Sequence, residues 1–220
     1  MARIGLLGGS FNPAHRGHRR ISLQALKKLG LDEVWWLVSP GNPLKDGVKD
    51  MAPFGERLES AARLARGGRI RVSDFEQQEG TRYTIDTVRR VKQRYPQDRF
   101  IWLLGSDTVP NFHKWRDWRG LAREVPIAVI RRPGYDSLAH AARAMSWLRR
   151  FVRPSGQAKH WTEWSAPAII FLRLPPDATS ATAIRAHFPS WHRRSSSPRG
   201  RSLRIALPLS ARRPLDRTSR

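Results

Sequence analysis

Residues Arg3–His18 read RIGLLGGSFNPAHRGH, and this stretch decides the fold. Arg3–Leu7 is a short apolar run of one buried strand's length, and Gly8-Gly9 reads as the tight turn that stops it. Gly17–Leu29 then carries apolar residues at Ile21, Leu23, Ala25, Leu26 and Leu29, a helical stripe closed by Gly30. A strand, a glycine turn and a helix start form the place where a doubly wound sheet binds phosphate. The turn is neither a Walker loop, lacking Gly-Lys-Ser/Thr, nor a dinucleotide GxGxxG. Gly8 and Gly9 let a phosphate approach the backbone, and Asn12-Pro13 makes a turn that delivers His15 to the helix start. His15 and His18 are three apart and share one face of the first helical turn. Two imidazoles there can donate N–H bonds to phosphate oxygens beside the helix-terminal amides. Arg16, Arg19 and Arg20 stand where the helix dipole disfavours cations, which makes sense if an anion is bound there. A metal pair or two surface histidines are the alternatives, but zinc would want a third ligand and a carboxylate or thiolate nearby.

Working outward, strands and helices alternate. Glu33–Val38 is expected as a strand, Ser39–Pro53 as a loop and Pro53–Arg66 as a helix. Ile70–Ser73 reads as a strand, Thr84–Tyr95 as a helix and Phe100–Leu104 as a strand ending at Gly105. Ile127–Ile130 is a strand closed by Pro133-Gly134, Ser137–Phe151 one helix, and Ala168–Leu172 the last strand. Ser180–His187 reads as a short helix capped by Ser180. Helical crossovers between strands predict an α/β fold: a doubly wound, Rossmann-like parallel sheet covered on both faces.

Composition bounds the rest. The 220 residues suit one α/β domain, and 40% hydrophobic residues with nine Trp build a core that excludes wholesale disorder. The absence of cysteine excludes disulfides, thiolate zinc sites and a cysteine nucleophile. A net charge of +23 points to anionic partners. No apolar segment has a membrane span's length or a signal peptide's shape, so the cytoplasm is the expected compartment, with no membrane partner. Residues 1–188 are expected as the domain, and 189–220 as an Arg/Ser/Pro-rich tail, disordered or aberrant. The tail's nine arginines against one aspartate give +8, which leaves +15 on residues 1–188.

A second motif lies near the end, at Thr179-Ser180-Ala181-Thr182-Ala183-Ile184-Arg185. Ser180 caps the helix, Thr182 can add a hydroxyl donor, and Arg185 projects from the first turn toward an anion. Together the two motifs resemble those of the nucleotidylyltransferase superfamily, which shares His-x-Gly-His and Ile-Ser-Ser-Thr-x-Ile-Arg. Within it the chain is most similar to bacterial nicotinate-mononucleotide adenylyltransferases. The likeness runs through Val38-Ser39-Pro40, Pro43-Leu44-Lys45, Tyr83–Thr87, Gly105-Ser106-Asp107, Phe112 with Trp115, and Arg132-Pro133-Gly134. Two departures stand out. Leu44 replaces a histidine frequent in the family, and the basic tail stands where members close with a folded helical segment.

The resemblance implies transfer of AMP from ATP to the 5′-phosphate of nicotinate mononucleotide, releasing pyrophosphate. It implies ATP contacts from Gly8, Gly9, Ser10, Phe11, Gly17, Ser180 and Thr182. His18 falls on the reacting α-phosphate, His15 near the β-phosphate, and Arg185 on the β/γ-phosphates. Mg²⁺ enters with ATP, held by phosphate oxygens and water, with no protein metal site. Asp107 bonds a ribose hydroxyl, orients the metal's water shell, or caps a helix at Val109. Lys45 pairs with the mononucleotide's phosphate or is solvated; Thr84 holds the pyridine ring, and Trp115 stacks on it or packs in the core. Trp35 and Trp102 are expected in the core. The alternatives are another adenylyl- or cytidylyltransferase of the superfamily, or a nucleic-acid-binding protein suggested by charge and by His113-Lys114-Trp115-Arg116.

Overall fold

The computed structural model describes residues 1–41, 51–65, 68–131, 135–173 and 181–192. Lys45, Ser180, the Pro133-Gly134 turn and the tail from residue 193 lie outside the described residues.

The chain alternates as its pattern predicts. Strand β1 (Arg3–Gly9) leads to α1 (Arg16–Lys28), β2 (Glu33–Val38), α2 (Phe54–Leu64) and β3 (Ile70–Ser73). Then come α3 (Phe75–Gln78), α4 (Thr84–Arg94), β4 (Arg99–Gly105), α5 (Val109–Phe112), α6 (Trp118–Glu124) and β5 (Ile127–Ile130). The remainder is α7 (Asp136–Ala141), α8 (Met145–Leu148), β6 (Val152–Arg153), a 3₁₀ stretch at Ser155–Glu163, β7 (Ile169–Leu172) and α9 (Ala181–His187). Among the described residues the strands form one seven-stranded sheet in the order β3-β2-β1-β4-β5-β7-β6. Each neighbouring pair is parallel. No helix among the described residues is long and apolar enough to cross a membrane.

Successive side chains of a strand point to opposite faces, and here both faces are covered. Trp35 and Leu37 join Ile4, Leu6, Trp102 and Leu104 under α4 and α6. Trp36 and Val38 join Leu7, Ile101 and Leu103 under α1 and α2. Two buried faces explain why β2, EVWWLV, is buried at every position instead of alternating. Trp35 and Trp102 are both core residues, as expected.

Two expectations give way. The first strand does not stop at Leu7, because Gly8 and Gly9 remain in register with Leu37 and Val38, and the turn starts at Ser10. Residues 137–151 do not form one helix. Ala142 is extended (φ −60°, ψ 143°) between α7 and α8. At about 100° per residue, a continuous helix would put Ala139 on the side opposite Ala144 and Leu148, with Ala142 and Met145 on the flank between them. All five are buried in one cluster, which the break permits.

Candidate active site

The sheet order reverses between β1 and β4: β2 and β3 extend one way, β5, β7 and β6 the other. The crevice at the carboxyl ends of such a pair is where open α/β sheets bind ligands. The turn after β1 and Gly105-Ser106-Asp107 at the end of β4 both open there.

The β1 turn is a constrained structure. Phe11 has φ +48°, left-handed for a bulky residue, which costs on the order of 1–3 kcal/mol unless the surroundings enforce it. They do so here. The Phe11 ring is buried, stacks on Trp36 at 5.1 Å and lies 4.8 Å from the His18 ring. Asn12 precedes a cis Pro13, and its Oδ1 accepts from the Ala52 backbone N–H at 3.1 Å.

His15 occupies the N-cap of α1 in extended conformation (φ −144°, ψ 168°) and is buried. Its backbone N–H donates to Nδ1 of His18 at 3.2 Å, and the two rings are 3.9 Å apart. This bond has a chemical consequence. With Nδ1 of His18 accepting, the imidazole proton resides on Nε2, the outer nitrogen, as a hydrogen-bond donor. The helix carrying both rings is pinned from behind: the Trp36 indole N–H donates to Ser22 Oγ at 2.7 Å, and Ser22 Oγ donates to the His18 carbonyl at 2.9 Å.

The glycines divide by role. A Cβ on Gly8 would lie 2.7 Å from the Trp102 ring, so core packing alone demands glycine there. A Cβ on Gly9 would meet the Phe11 ring at 3.5 Å, an ordinary contact. Gly17 is buried in the first turn of α1, and Ser10 offers its carbonyl to Arg57.

The second motif closes onto this turn. Arg185, on α9, donates from Nη1 to the Asn12 carbonyl at 2.7 Å, across 173 residues of sequence. Thr182 lies exposed on the same helix. Asp107 is half-buried just past β4; Thr108, not Asp107, takes the N-cap of α5 and makes no side-chain cap bond. Thr84 is the half-buried first residue of α4. Trp115 packs edge-on against Trp102 (6.4 Å) and Phe112 (5.4 Å) with part of its surface exposed, so it rests on the core while retaining a free edge.

Two buried groups escaped the sequence reading. Arg57, 2% exposed, lies on the core-facing stripe of α2 with Leu58, Ala61 and Ala65. An arginine on an apolar stripe was the available signal. Glu76 on α3 is buried with hydrogen bonds to Thr87 Oγ1 (3.3 Å) and the Ser39 side chain. Burial outweighs those bonds and pushes its carboxyl from the ordinary 4.5 up to about 7. Nothing in the local pattern foretold it.

The model of the cytidylyltransferase-like family matches residues 6–187, from β1 through α9. The chain belongs to that family. Among cytidylyltransferase-like proteins, a probable nicotinate-nucleotide adenylyltransferase of Erythrobacter litoralis (strain HTCC2594) is 54% identical over 195 residues, 89% of each chain. One of the same name from Gluconobacter oxydans (strain 621H) is 51% identical over 83% of this chain and 93% of its own. The nicotinic acid mononucleotide adenylyltransferase of Plasmodium falciparum, solved in complex with NaAD, superposes with a TM-score of 0.62. It is 17% identical over 84% of this chain and 83% of its own, a likeness of fold.

Proposed function

We propose that this cytidylyltransferase-like protein transfers AMP from ATP to nicotinate mononucleotide, giving nicotinate adenine dinucleotide and pyrophosphate. The observation that carries the reading is the Arg185–Asn12 bond, which joins the two motifs around the start of α1. Relatives about half identical over most of the chain bear the corresponding name.

The attacking group is a phosphate oxygen already ionised at neutral pH, so the reaction needs no general base. Its oxygen bonds to the α-phosphorus of ATP as the bond to the bridging oxygen breaks, and pyrophosphate leaves with that electron pair. Catalysis is then positioning and charge stabilisation. His18 Nε2–H donates to the α-phosphate and departing bridge, and His15 serves the β-phosphate. The guanidinium of Arg185, which already donates to the Asn12 carbonyl, holds the β/γ-phosphates beside Thr182 and Ser180. Gly9, Ser10, Phe11 and Gly17 shape the cradle. ATP comes as its Mg²⁺ complex, the hard cation satisfied by phosphate oxygens and water, and Asp107 orients that water or a ribose hydroxyl. Lys45, Thr84 and Trp115 hold the mononucleotide. Residues 1–188 form the catalytic unit of this reading, with the cytoplasm as its compartment.

Acid should be preferred over amide. Thr84 and the backbone N–H groups at the start of α4 suit a carboxylate; a carboxamide would turn an NH₂ toward a donor and leave it unpaired, costing about 1–3 kcal/mol. Pyrophosphate release measured with ATP and each mononucleotide decides it. A higher kcat/KM for the acid is expected, and equal values or an amide preference would overturn the substrate assignment.

A further inference from the structure

The guanidinium of Arg57 binds four backbone carbonyls from three separate segments. Its Nε donates to Ala52 at 2.9 Å, just before α2. Nη1 donates to Ser10 and to Ser39, each at 2.7 Å, and Nη2 to Pro40 at 3.1 Å. Ser10 begins the turn after β1, and Ser39-Pro40 follows β2 directly. Among the described residues no carboxylate forms an ion pair with Arg57, and the Phe54 ring lies 5.4 Å away. A buried cation compensated by carbonyl dipoles alone is costly, and burial holds its pKa below the ordinary arginine value.

We infer that Arg57 is a positioning residue for the adenylyl transfer, fixing the β1 turn and Ser39-Pro40 at the end of β2 in one geometry before either substrate arrives. This rests on the function proposed above. The connection to the chemistry is short. The Ser10 carbonyl leads directly into Phe11, whose left-handed backbone must be enforced, and then to Asn12, which accepts from Arg185. Asn12 Oδ1 is tied in turn to Ala52, whose carbonyl also accepts from Arg57. One planar fork therefore sets the spacing between the β1 turn assigned to ATP and Ser39-Pro40 at the end of β2. A lysine keeps the charge and loses the fork, since a point-like ammonium cannot reproduce five donors in a plane.

The test compares Arg57→Lys and Arg57→Gln with Leu148→Ala, a core deletion on α8. Each variant is assayed by pyrophosphate release at a temperature where circular dichroism shows it folded. A misplacement of reacting groups by about 1 Å costs on the order of 10²-fold in rate. Arg57→Lys is expected to lose about 10–100-fold in kcat, with a smaller change in either KM, and Arg57→Gln at least as much. Leu148→Ala should lose melting temperature and keep kcat. If folded Arg57→Lys turns over like wild type, or Leu148→Ala loses kcat to the same degree, the inference fails. Wild-type protein inert toward ATP and nicotinate mononucleotide would instead overturn the function on which it rests.

Discussion

At the scale of the residue, the proposed transfer turns on the two nitrogens of His18. Because Nδ1 accepts from the His15 backbone N–H, Nε2–H is fixed as a donor without needing an imidazolium. Replacing His18 with Ala should lower kcat on the order of 10²–10³-fold, the usual cost of losing one transition-state donor. The fold should persist, since His18 is only half-buried. Near-wild-type pyrophosphate release would remove His18 from the chemistry. Glu76 makes a different prediction, about stability. The unfolded chain releases this proton near 4.5 and the folded protein near 7, so between those values the folded state holds the extra proton. Glu76 costs nothing below that window, destabilises progressively as pH rises through it, and costs a constant amount above it. The full shift amounts to about 3 kcal/mol. Glu76→Gln should therefore be more stable than wild type at pH 8, with the advantage vanishing near pH 4.5. Urea midpoints across that range check it, and a pH-independent difference would count against a neutral buried carboxyl.

At the scale of the element, β1 and α1 act as one unit. Gly8 lets the ring of Trp102 on β4 approach β1 closely, with 2.7 Å to the nearest ring atom from any Cβ built there. Gly8→Ala should therefore destabilise by about 1–3 kcal/mol, as overpacked cores do. Denaturant unfolding measures this, and combining it with Trp102→Leu should shrink the loss; an unchanged midpoint would show that the ring gives way freely. The alternation of strands and helices was legible because the buried strands are short apolar runs and α1, α2 and α4 carry clear apolar stripes. The turn between β1 and α1 was legible because its residues are neighbours in sequence. The break at Ala142 was not, because alanine suits a helix and only the core decides which sides are buried. Arg57 was hidden for a related reason: its partners are carbonyls, which no residue type advertises. The meeting of Arg185 with Asn12 was expected only as two motifs serving one anion, because their direct hydrogen bond spans 173 residues and involves a backbone carbonyl. The exchange of Asp107 for Thr108 at the α5 cap turned on a one-residue difference that propensity does not resolve.

At the scale of the whole molecule, charge and chemistry divide along the chain. The family match ends at residue 187, and every site residue assigned above precedes residue 188. The last 28 residues, 193–220, hold nine arginines and one aspartate, so removing them lowers the net charge from +23 to +15. A protein ending at His192 should keep its kcat, because no assigned donor is lost and the shortening spares α9, with Arg185 on Asn12. What should change is capture of the anionic substrates. The summed positive field raises encounter rates at low ionic strength, and salt screens it over about 10 Å at 0.1 M. The shortened protein should show a lower kcat/KM for ATP in dilute buffer and converge on the full chain as salt is added. Measuring kcat/KM for both forms against ionic strength separates the two contributions. A loss of kcat that persists at high salt would mean that residues 193–220 reach the catalytic unit itself, and the boundary drawn at residue 188 would have to move.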